Sequence, residues 1–278
     1  MPKRISSKIG IGLITCDRVE FFNKAKDSLV GALKNYPNCE IVIVNDGSLK
    51  IKDNSFKIID TIGHQGVGKA KNAALKHLIK SNCEHIFLME DDITITDGEI
   101  FQKYIEASEA TGIKHFNFGL HGHHNLNQFG QPIIRKTVNY PSDIKIDLYP
   151  NVLGAFSYYH KDTINDCGYM DEEYYNALEH VDHTYQIIKA GYHPPFRWFA
   201  DINGSSNYIS DIKANHEDSK IRSQEDFIKT FQKALDYFIQ KNNFSVSQGY
   251  GPIENISSEE EVLANLKQIW KHHHQKLE

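Results

Sequence analysis

Short apolar runs alternate with segments of helical periodicity through the first ninety residues. The apolar runs predict strands over residues 9–15, 40–45, 56–60 and 85–89, and the periodic segments predict helices over residues 20–36 and 68–81. Strands that are apolar along their whole length are buried on both faces, and their alternation with helices is typical of βαβ units. We therefore predict an α/β fold with a mostly parallel central sheet covered by helices.

Polar side chains follow three of the predicted strands. The clusters are Thr15-Cys16-Asp17-Arg18, Asn45-Asp46-Gly47-Ser48 and Glu90-Asp91-Asp92. A parallel sheet brings such strand ends to one edge, where open α/β sheets bind their ligands. Acidic residues after a single strand often only solvate a turn, but three converging clusters favour a site. Because carboxylate oxygens suit Mg²⁺ or Mn²⁺, the acidic triplet points to metal-assisted diphosphate chemistry.

Charge, cysteines and hydropathy exclude several classes of protein. The 278 residues carry a net charge of -5 without a concentrated basic segment, so we expect no nucleic-acid partner. The four cysteines show no C-x-x-C spacing, which favours a reducing compartment. The apolar run over residues 9–14 is too short for a membrane span. We expect a cytoplasmic protein.

The middle of the chain is less regular. Residues 116–149 are rich in Gly, His, Asn and Pro, and the histidines of residues 119–124 predict a mobile, solvated or substrate-facing loop rather than a metal site. Residues 151–159 predict another strand, and residues 171–190 contain a predicted helix that Gly191 ends.

The C-terminal part predicts two amphipathic helices, the second with a capping box of Ser257 and Glu260. We divide the chain into a catalytic domain, residues 1–222, and a helical extension, residues 223–278. The apolar stripes of the extension could dock on the main domain, on a second copy as a homo-oligomer, or on the inner face of a membrane, and the sequence leaves these three alternatives open.

The predicted helix around residue 180 carries ionisable groups. On a helical wheel Glu179, Asp182 and His183 lie opposite an apolar side, and His180 lies between the two sides. Carboxylates in a first helical turn are ordinarily explained by the helix dipole. By themselves they do not indicate a function.

The order of the motifs resembles the family 2 glycosyltransferases of the GT-A fold over residues 8–220. The matching segments are Ile41 to Ser48, Gly68 to Asn72, Phe87 to Asp92, Gly154 to Phe156, Gly168 to Glu172, Glu179 to Asp182 and Lys189 to Tyr192. The chain is also similar to bacterial chondroitin polymerase domains and β-1,4-galactosyltransferases, because Asn215-His216-Glu217-Asp218 stands where those enzymes carry a metal-binding histidine.

The resemblance implies roles for individual residues. The nucleotide-sugar would be bound by Thr15, Asp17, Arg18, Asn45, Asp46, Lys71, Glu90, Asp91 and Gly154, and Mn²⁺ or Mg²⁺ by Asp92 and His216. Relatives generally have Glu-Asp, with the Asp as catalytic base, where this chain has Glu179-His180. The base is therefore Glu179 or His180, with Asp182 as the next candidate, unless catalysis is impaired.

The implied activity is metal-dependent, inverting transfer of a hexosyl or N-acetylhexosaminyl group. The donor would be a UDP-sugar, the acceptor a saccharide hydroxyl, and the setting, by analogy, bacterial surface polysaccharide synthesis. Two alternatives remain: a nucleotidyltransferase, which would release pyrophosphate, and a sugar-nucleotide or glycan binding module without turnover.

Overall fold

The computed structural model describes residues 7–212, 226–246 and 256–275. These ranges form eleven strands and seven α-helices. The strands are β1 Ile9–Thr15, β2 Glu40–Asn45, β3 Lys57–Asp60, β4 His85–Glu90, β5 Ile93–Ile95, β6 His115–Asn117, β7 Lys136–Asn139, β8 Lys145–Tyr149, β9 Phe156–His160, β10 Phe199–Ile202 and β11 Ile209–Asp211. The helices are α1 Val19–Ala32, α2 Val67–Lys80, α3 Glu99–Thr111, α4 Lys161–Cys167, α5 Glu179–Lys189, α6 Phe227–Asn242 and α7 Glu259–Gln275.

A six-stranded sheet forms the centre of the fold, in the order β3-β2-β1-β4-β9-β6. The pairs β2/β3, β1/β2 and β1/β4 are parallel, and β9 is antiparallel to both β4 and β6. All seven residues of β1 are buried, as expected for a strand of apolar residues in the middle of a sheet. The predicted mostly parallel sheet is confirmed.

Helices cover both faces of this sheet. On one face Leu13 and Phe87 pack in the same core cluster as Phe22 of α1 and Phe101 of α3. On the other face Val44 packs in a second cluster with residues of α2 and α5. The side chains of each strand alternate between the two clusters, so the α/β layering follows from the strand period of two.

The middle of the chain holds more regular structure than its composition indicates, and the strand predicted there is partly wrong. Residues 116–149 contain β7, β8 and most of β6, and β8 lies between β7 and β10 in a separate antiparallel sheet. The strand predicted over residues 151–159 begins only at Phe156. Asn151 lies in a turn instead, because its backbone N–H and side-chain amide bond to Asn125 and to the carbonyl of His124.

The two C-terminal helices pack on the rest of the chain. Leu235 and Phe238 of α6 share a cluster with Val181 of α5, and the buried residues of α7 join the core beneath α3. The apolar stripes of both helices therefore dock on the main domain, which is the first of the three alternatives that the sequence leaves open. The boundary at residues 222 and 223 lies outside the described residues, and the division into two domains stays a prediction.

The capping box of α7 lies one residue later than predicted. Glu261 N–H donates to Ser258 Oγ (3.2 Å), and Ser258 N–H donates to Glu261 Oε2 (2.7 Å). At the end of α5, Gly191 has a φ of 80°, which confirms its predicted place just beyond the helix. None of the helices in the described ranges has both the length and the hydropathy that a membrane span needs.

Candidate active site

The carboxyl ends of β1, β2 and β4 meet at one edge of the sheet. Thr15 lies opposite Asn45 in the β1/β2 pair, and Ile14 lies opposite Glu90 in the β1/β4 pair. The three polar clusters that the sequence placed after these strands are therefore neighbours, as predicted. This edge is the position at which open α/β sheets bind ligands.

The acidic triplet is held by the first of these clusters. Thr15 Oγ1 donates to Asp91 Oδ2 (2.6 Å), and the Arg18 guanidinium contacts Asp91 and lies 3.3 Å from Asp92 Oδ2. Burial raises the pKa of Asp91 to about 6, although the charge of Arg18 acts in the opposite direction. Arg18 and Thr15 thus satisfy Asp91 within the protein and fix it in place.

Asp92 is the member of the triplet whose carboxylate can still bind a ligand. Its Oδ1 atom is buried and has no hydrogen-bond partner among the described residues. Buried polar oxygens normally have a partner, so an oxygen with none fits a ligand that is not part of the protein, such as a hard divalent cation. The second predicted metal ligand, His216, lies outside the described residues.

Three residues at the ends of β1 and β2 that were predicted to contact the nucleotide form hydrogen bonds with the surrounding loops. Asp46 accepts hydrogen bonds from the N–H groups of Gln65 and Gly66 (both 2.8 Å), and Asn45 Nδ2 donates to Asp60 Oδ1 (2.8 Å). Asp17 Oδ1 accepts from the N–H of Ser48 (2.7 Å). These side chains shape the loops at the sheet edge, and their contact with a nucleotide stays a prediction.

Gly66 lets the loop before α2 come close to a distant segment. Its φ is 93°, and a Cβ at this position would lie 2.1 Å from the carbonyl oxygen of Tyr175. Any other residue would have to displace backbone there. The close approach brings the start of α2 next to the segment that precedes α5.

Lys71 of α2 contacts three other parts of the site. Its side chain is 1% exposed, and Nζ lies 2.7 Å from Glu90 Oε1 and 3.1 Å from Glu179 Oε1. It also donates to the carbonyl of Gly154 (3.0 Å). Burial alone would favour the neutral amine, but Glu90 and Glu179 outweigh it and raise the pKa of Lys71. The ammonium therefore stays charged and compensates two carboxylates.

Glu179 and His180 form a pair at the beginning of α5. His180 Nδ1 lies 3.0 Å from Glu179 Oε1, and the His180 side chain is 21% exposed whereas that of Glu179 is 4% exposed. Burial opposes ionisation of Glu179, but Lys71 and His180 outweigh it and lower the pKa of Glu179. If Nδ1 donates to the carboxylate, Nε2 is left as an acceptor.

Gly154 lies directly against this pair. A Cβ at Gly154 would be 2.8 Å from the His180 ring and 3.0 Å from Lys71 Nζ. A side chain at this position would therefore displace the His180 ring or the lysine. The structure brings together Lys71, Glu90, Gly154, Glu179 and His180, which the sequence analysis had placed in one site.

Asp182 belongs to a different set of contacts. It is 1% exposed and lies beneath α6, where Lys241 Nζ (2.8 Å) and Asn242 Nδ2 (2.9 Å) donate to it. The structure does not bring it to the cluster around Lys71. These contacts explain why Asp182 is buried, because they attach α6 to α5. They give no support to its predicted catalytic role, which stays a prediction.

Comparisons with known proteins identify one similar sequence and several similar structures. No family model matches the chain. An uncharacterized glycosyltransferase of Acanthamoeba polyphaga mimivirus is 28% identical over 193 residues, which make up 66% of this chain and 72% of the viral protein. S. aureus TarS 1-349 in complex with UDP-GlcNAc aligns with 96% of this chain and 72% of its own, with 15% identity and a TM-score of 0.50.

A second S. aureus TarS structure aligns with 94% of this chain at 15% identity and a TM-score of 0.51. The chain has the GT-A glycosyltransferase fold. It spans 49% of that TarS chain. At this identity the likeness establishes the shared fold, and the substrates of TarS are properties of TarS.

Within this GT-A domain, sequence reasoning missed His121. Its Nδ1 lies 2.9 Å from Asp211 Oδ1, and the N–H of Gly122 donates to Asp211 Oδ2 (2.7 Å). Asp211 pairs with Ile93 in the β5/β11 ladder, directly after the acidic triplet. Burial disfavours the imidazolium, but the hydrogen bond with Asp211 and the charge of Asp92 outweigh it and raise the pKa of His121.

The histidines of residues 119–124 were the only sequence signal for this residue. Spacing alone could not select His121, because its partner Asp211 lies 90 residues further along the chain. The pairing of β5 with β11 creates the contact.

Proposed function

We propose that the chain is an inverting glycosyltransferase that moves a sugar from a UDP-sugar to a saccharide hydroxyl. The observation that carries this proposal is the contact of the Lys71-Glu179-His180 cluster with Glu90 of the acidic triplet, in which Asp92 has a buried oxygen without a partner among the described residues, at the sheet edge of a GT-A fold. The Lys71-Glu179-His180 cluster supplies a base, and Asp92 supplies a ligand for a cation that would stabilise the leaving diphosphate. A transferase that releases a nucleoside diphosphate needs both.

The nucleotide would lie over the ends of β1 and β2. In this proposal Thr15, Asp17, Arg18, Asn45 and Asp46 surround the base and ribose, by direct contact or by holding the loops that line the site. UDP as the carrier is supported by the UDP-GlcNAc complex of TarS, which shares the fold. The transferred group in this proposal is a hexosyl or N-acetylhexosaminyl group.

The diphosphate would lie between the acidic triplet and His121. Asp92 and His216 would hold Mn²⁺ or Mg²⁺, and such an ion would supply charge neutralisation to the departing diphosphate. The imidazole of His121, oriented by Asp211, adds a hydrogen-bond donor on the same side. Arg18, which contacts both Asp91 and Asp92, offsets part of the negative charge of the triplet and so weakens its repulsion of the anionic donor.

The proton-transfer step falls to His180. Its Nε2 accepts the proton of the acceptor hydroxyl while the hydroxyl oxygen forms a bond to the anomeric carbon and the bond to UDP breaks. Glu179 holds the other ring nitrogen and stabilises the imidazolium that forms, as a buried carboxylate does for a catalytic histidine. Lys71 keeps Glu179 ionised, and Gly154 leaves room for the donor sugar. Direct displacement inverts the anomeric centre.

The biological setting is part of the same proposal. We propose polysaccharide synthesis as the process and the cytoplasm, or the inner membrane face, as the place, by analogy with the polymerases that the motif order resembles. The viral relative widens the range of organisms in which such an enzyme would occur. The acceptor class, a saccharide hydroxyl, does not depend on the organism.

The test combines the purified chain with Mn²⁺, a panel of UDP-sugars and saccharide acceptors, and follows the products by mass spectrometry. The proposal predicts UDP together with an acceptor heavier by one sugar, and NMR of that product should show the inverted anomer. Release of pyrophosphate from a nucleoside triphosphate would favour the nucleotidyltransferase instead. Nucleotide binding without turnover across the panel would favour the binding module.

A matched pair of histidine variants tests the assignment of the base. We expect His180→Asn to lose about 10² to 10⁴ in turnover while it keeps its affinity for UDP. The control is His272→Asn, at an exposed position of α7. Full turnover of His180→Asn would contradict the assignment.

A further inference from the structure

A second cluster of potential metal ligands lies at the sheet edge, apart from Asp92. It consists of Cys16 and Asp17, directly after β1, and His64, in the loop between β3 and α2. One atom from each side chain, a sulfur, an oxygen and a nitrogen, lies within 4.8 Å of the other two. The proposed transferase mechanism uses neither Cys16 nor His64.

The separation of Cys16 and His64 resembles that of two ligands of a tetrahedral zinc ion. Cys16 Sγ lies 3.4 Å from His64 Nδ1, and His64 Nε2 lies 3.5 Å from Asp17 Oδ2. A sulfur and a nitrogen bound to the same zinc ion at normal bond lengths are about 3.6 Å apart. A zinc ion binds one nitrogen of a histidine ring, so Cys16 Sγ and His64 Nδ1 fit a shared ion at their present separation. The Asp17 carboxylate would have to turn from Nε2 toward that ion, and water would take the fourth position.

The backbone holds the cluster together at an energetic cost. Asp17 has a φ of 53° and His64 a φ of 37°, both in the region that non-glycine residues seldom occupy. Asp17 Oδ1 is held by the N–H groups of Ser48 and Leu49, so Oδ2 remains on the side of His64. The His64 carbonyl accepts a hydrogen bond from the Tyr175 hydroxyl (2.9 Å).

We propose that Cys16, Asp17 and His64 form a binding site for a soft divalent cation such as Zn²⁺, and that the bound ion excludes the nucleotide. The first part is independent of the proposed function. The second rests on it, because Asp17 and the neighbouring Asp46 belong to the proposed nucleotide site. The Cys16 thiol lies 3.6 Å from the carbonyl of Asp46, so the ion would occupy the base end of that site.

The chemistry distinguishes this site from the one at Asp92. Thiolate and imidazole ligands favour Zn²⁺, whereas a site built from carboxylate oxygens favours Mg²⁺ or Mn²⁺. Burial and the carboxylates of Asp46, Asp17 and Asp91 raise the pKa of Cys16 to about 11, so the free thiol is protonated at neutral pH. On binding, the S–H bond breaks, a Zn–S bond forms and the proton passes to solvent.

The first experiment uses the full chain, freed of metal and without nucleotide. Calorimetric titration with Zn²⁺ should show one site of this kind, and Co²⁺ should give a thiolate-to-metal absorption band in the near ultraviolet. We expect Cys16→Ser and His64→Gln to lose zinc affinity by at least about tenfold, the loss that changes around metal ligands commonly cause. Cys16→Ser should also lack the cobalt band.

The matched control is Cys167→Ser, which removes another partly buried thiol, one that donates to the Gln186 carbonyl (3.8 Å). It should keep both the zinc affinity and the cobalt band. Equal zinc binding by Cys16→Ser and the wild type, or a band that depends on Cys167, would overturn the site.

The second experiment measures UDP affinity in the presence of Mn²⁺, with and without Zn²⁺. Zinc should weaken UDP binding to the wild type at least about tenfold and leave Cys16→Ser unaffected, which separates this effect from any exchange of the ion at Asp92. Zinc binding without an effect on UDP would overturn the exclusion of the nucleotide. If UDP fails to bind in the absence of zinc, the proposed function fails, and the zinc titrations still decide the site.

Discussion

Replacing Lys71 by Met removes a buried ammonium and leaves a side chain of similar length. In the wild type Nζ lies 2.7 Å from Glu90 and 3.1 Å from Glu179, and the carboxylate of Glu179 is nearly inaccessible to water. Loss of one partner from a buried ion pair costs about 3–5 kcal/mol, because the remaining charge is left uncompensated. We expect the free energy of unfolding at neutral pH to fall by about this amount.

The pH dependence of this loss gives a sharper signature. In the wild type the pKa of Glu179 is lowered, so the pair stabilises the fold above the unfolded-state pKa of about 4.3 and loses its contribution as pH falls through the folded-state pKa. Without Lys71, burial raises the pKa of Glu179 and the sign reverses. The deficit of Lys71→Met should therefore be larger at about pH 8 than at about pH 5.

The assay is denaturant unfolding of Lys71→Met, Glu179→Gln and the double variant at both pH values. The double variant should be more stable than Lys71→Met, because it removes the less exposed of the two carboxylates that Lys71 compensates. Lys80→Met, at an exposed position of the same helix, is the control and should change stability by less than about 0.5 kcal/mol. A deficit of Lys71→Met below about 1 kcal/mol that does not vary with pH would refute the buried ion pair.

Three further predictions concern ligand binding and turnover. Asp92→Asn should lose metal-dependent UDP binding together with turnover, and calorimetry that finds unchanged affinity would contradict the metal assignment. Gly154→Ala should reduce turnover more than stability, because its Cβ would meet the His180 ring at 2.8 Å; steady-state rates and thermal unfolding of the same sample check this, and normal turnover would contradict it. His121→Ala should weaken UDP more than it weakens uridine, since the imidazole is proposed to face the diphosphate; equal losses in calorimetry would place it elsewhere.

Much of the parallel part of the fold could be predicted from the sequence. The bounds of β1 and β2 match the predicted ranges, because an apolar strand between two layers of helices must be apolar along its whole length. Parallel pairing then places the polar ends of these strands together. The approach of the acidic triplet to Thr15 and Arg18 follows from local patterns alone.

The contacts that the sequence could not supply connect distant segments. The sheet of β7, β8 and β10 depends on pairing between Phe199 and Tyr149, which no local pattern indicates. Lys241 and Asn242, two partners of Asp182, are on α6, and Asp211, the partner of His121, is on β11. Helical spacing placed Asp182 on the polar side of α5 but could not show that this side is buried under another helix.

The most direct test of the central claim is calorimetric titration of the chain with UDP, once with Mn²⁺ and once with EDTA. The account predicts binding that requires the metal and that Asp92→Asn abolishes. Absent binding, or binding of equal strength in EDTA, would contradict a nucleotide-diphosphate site assembled around Asp92.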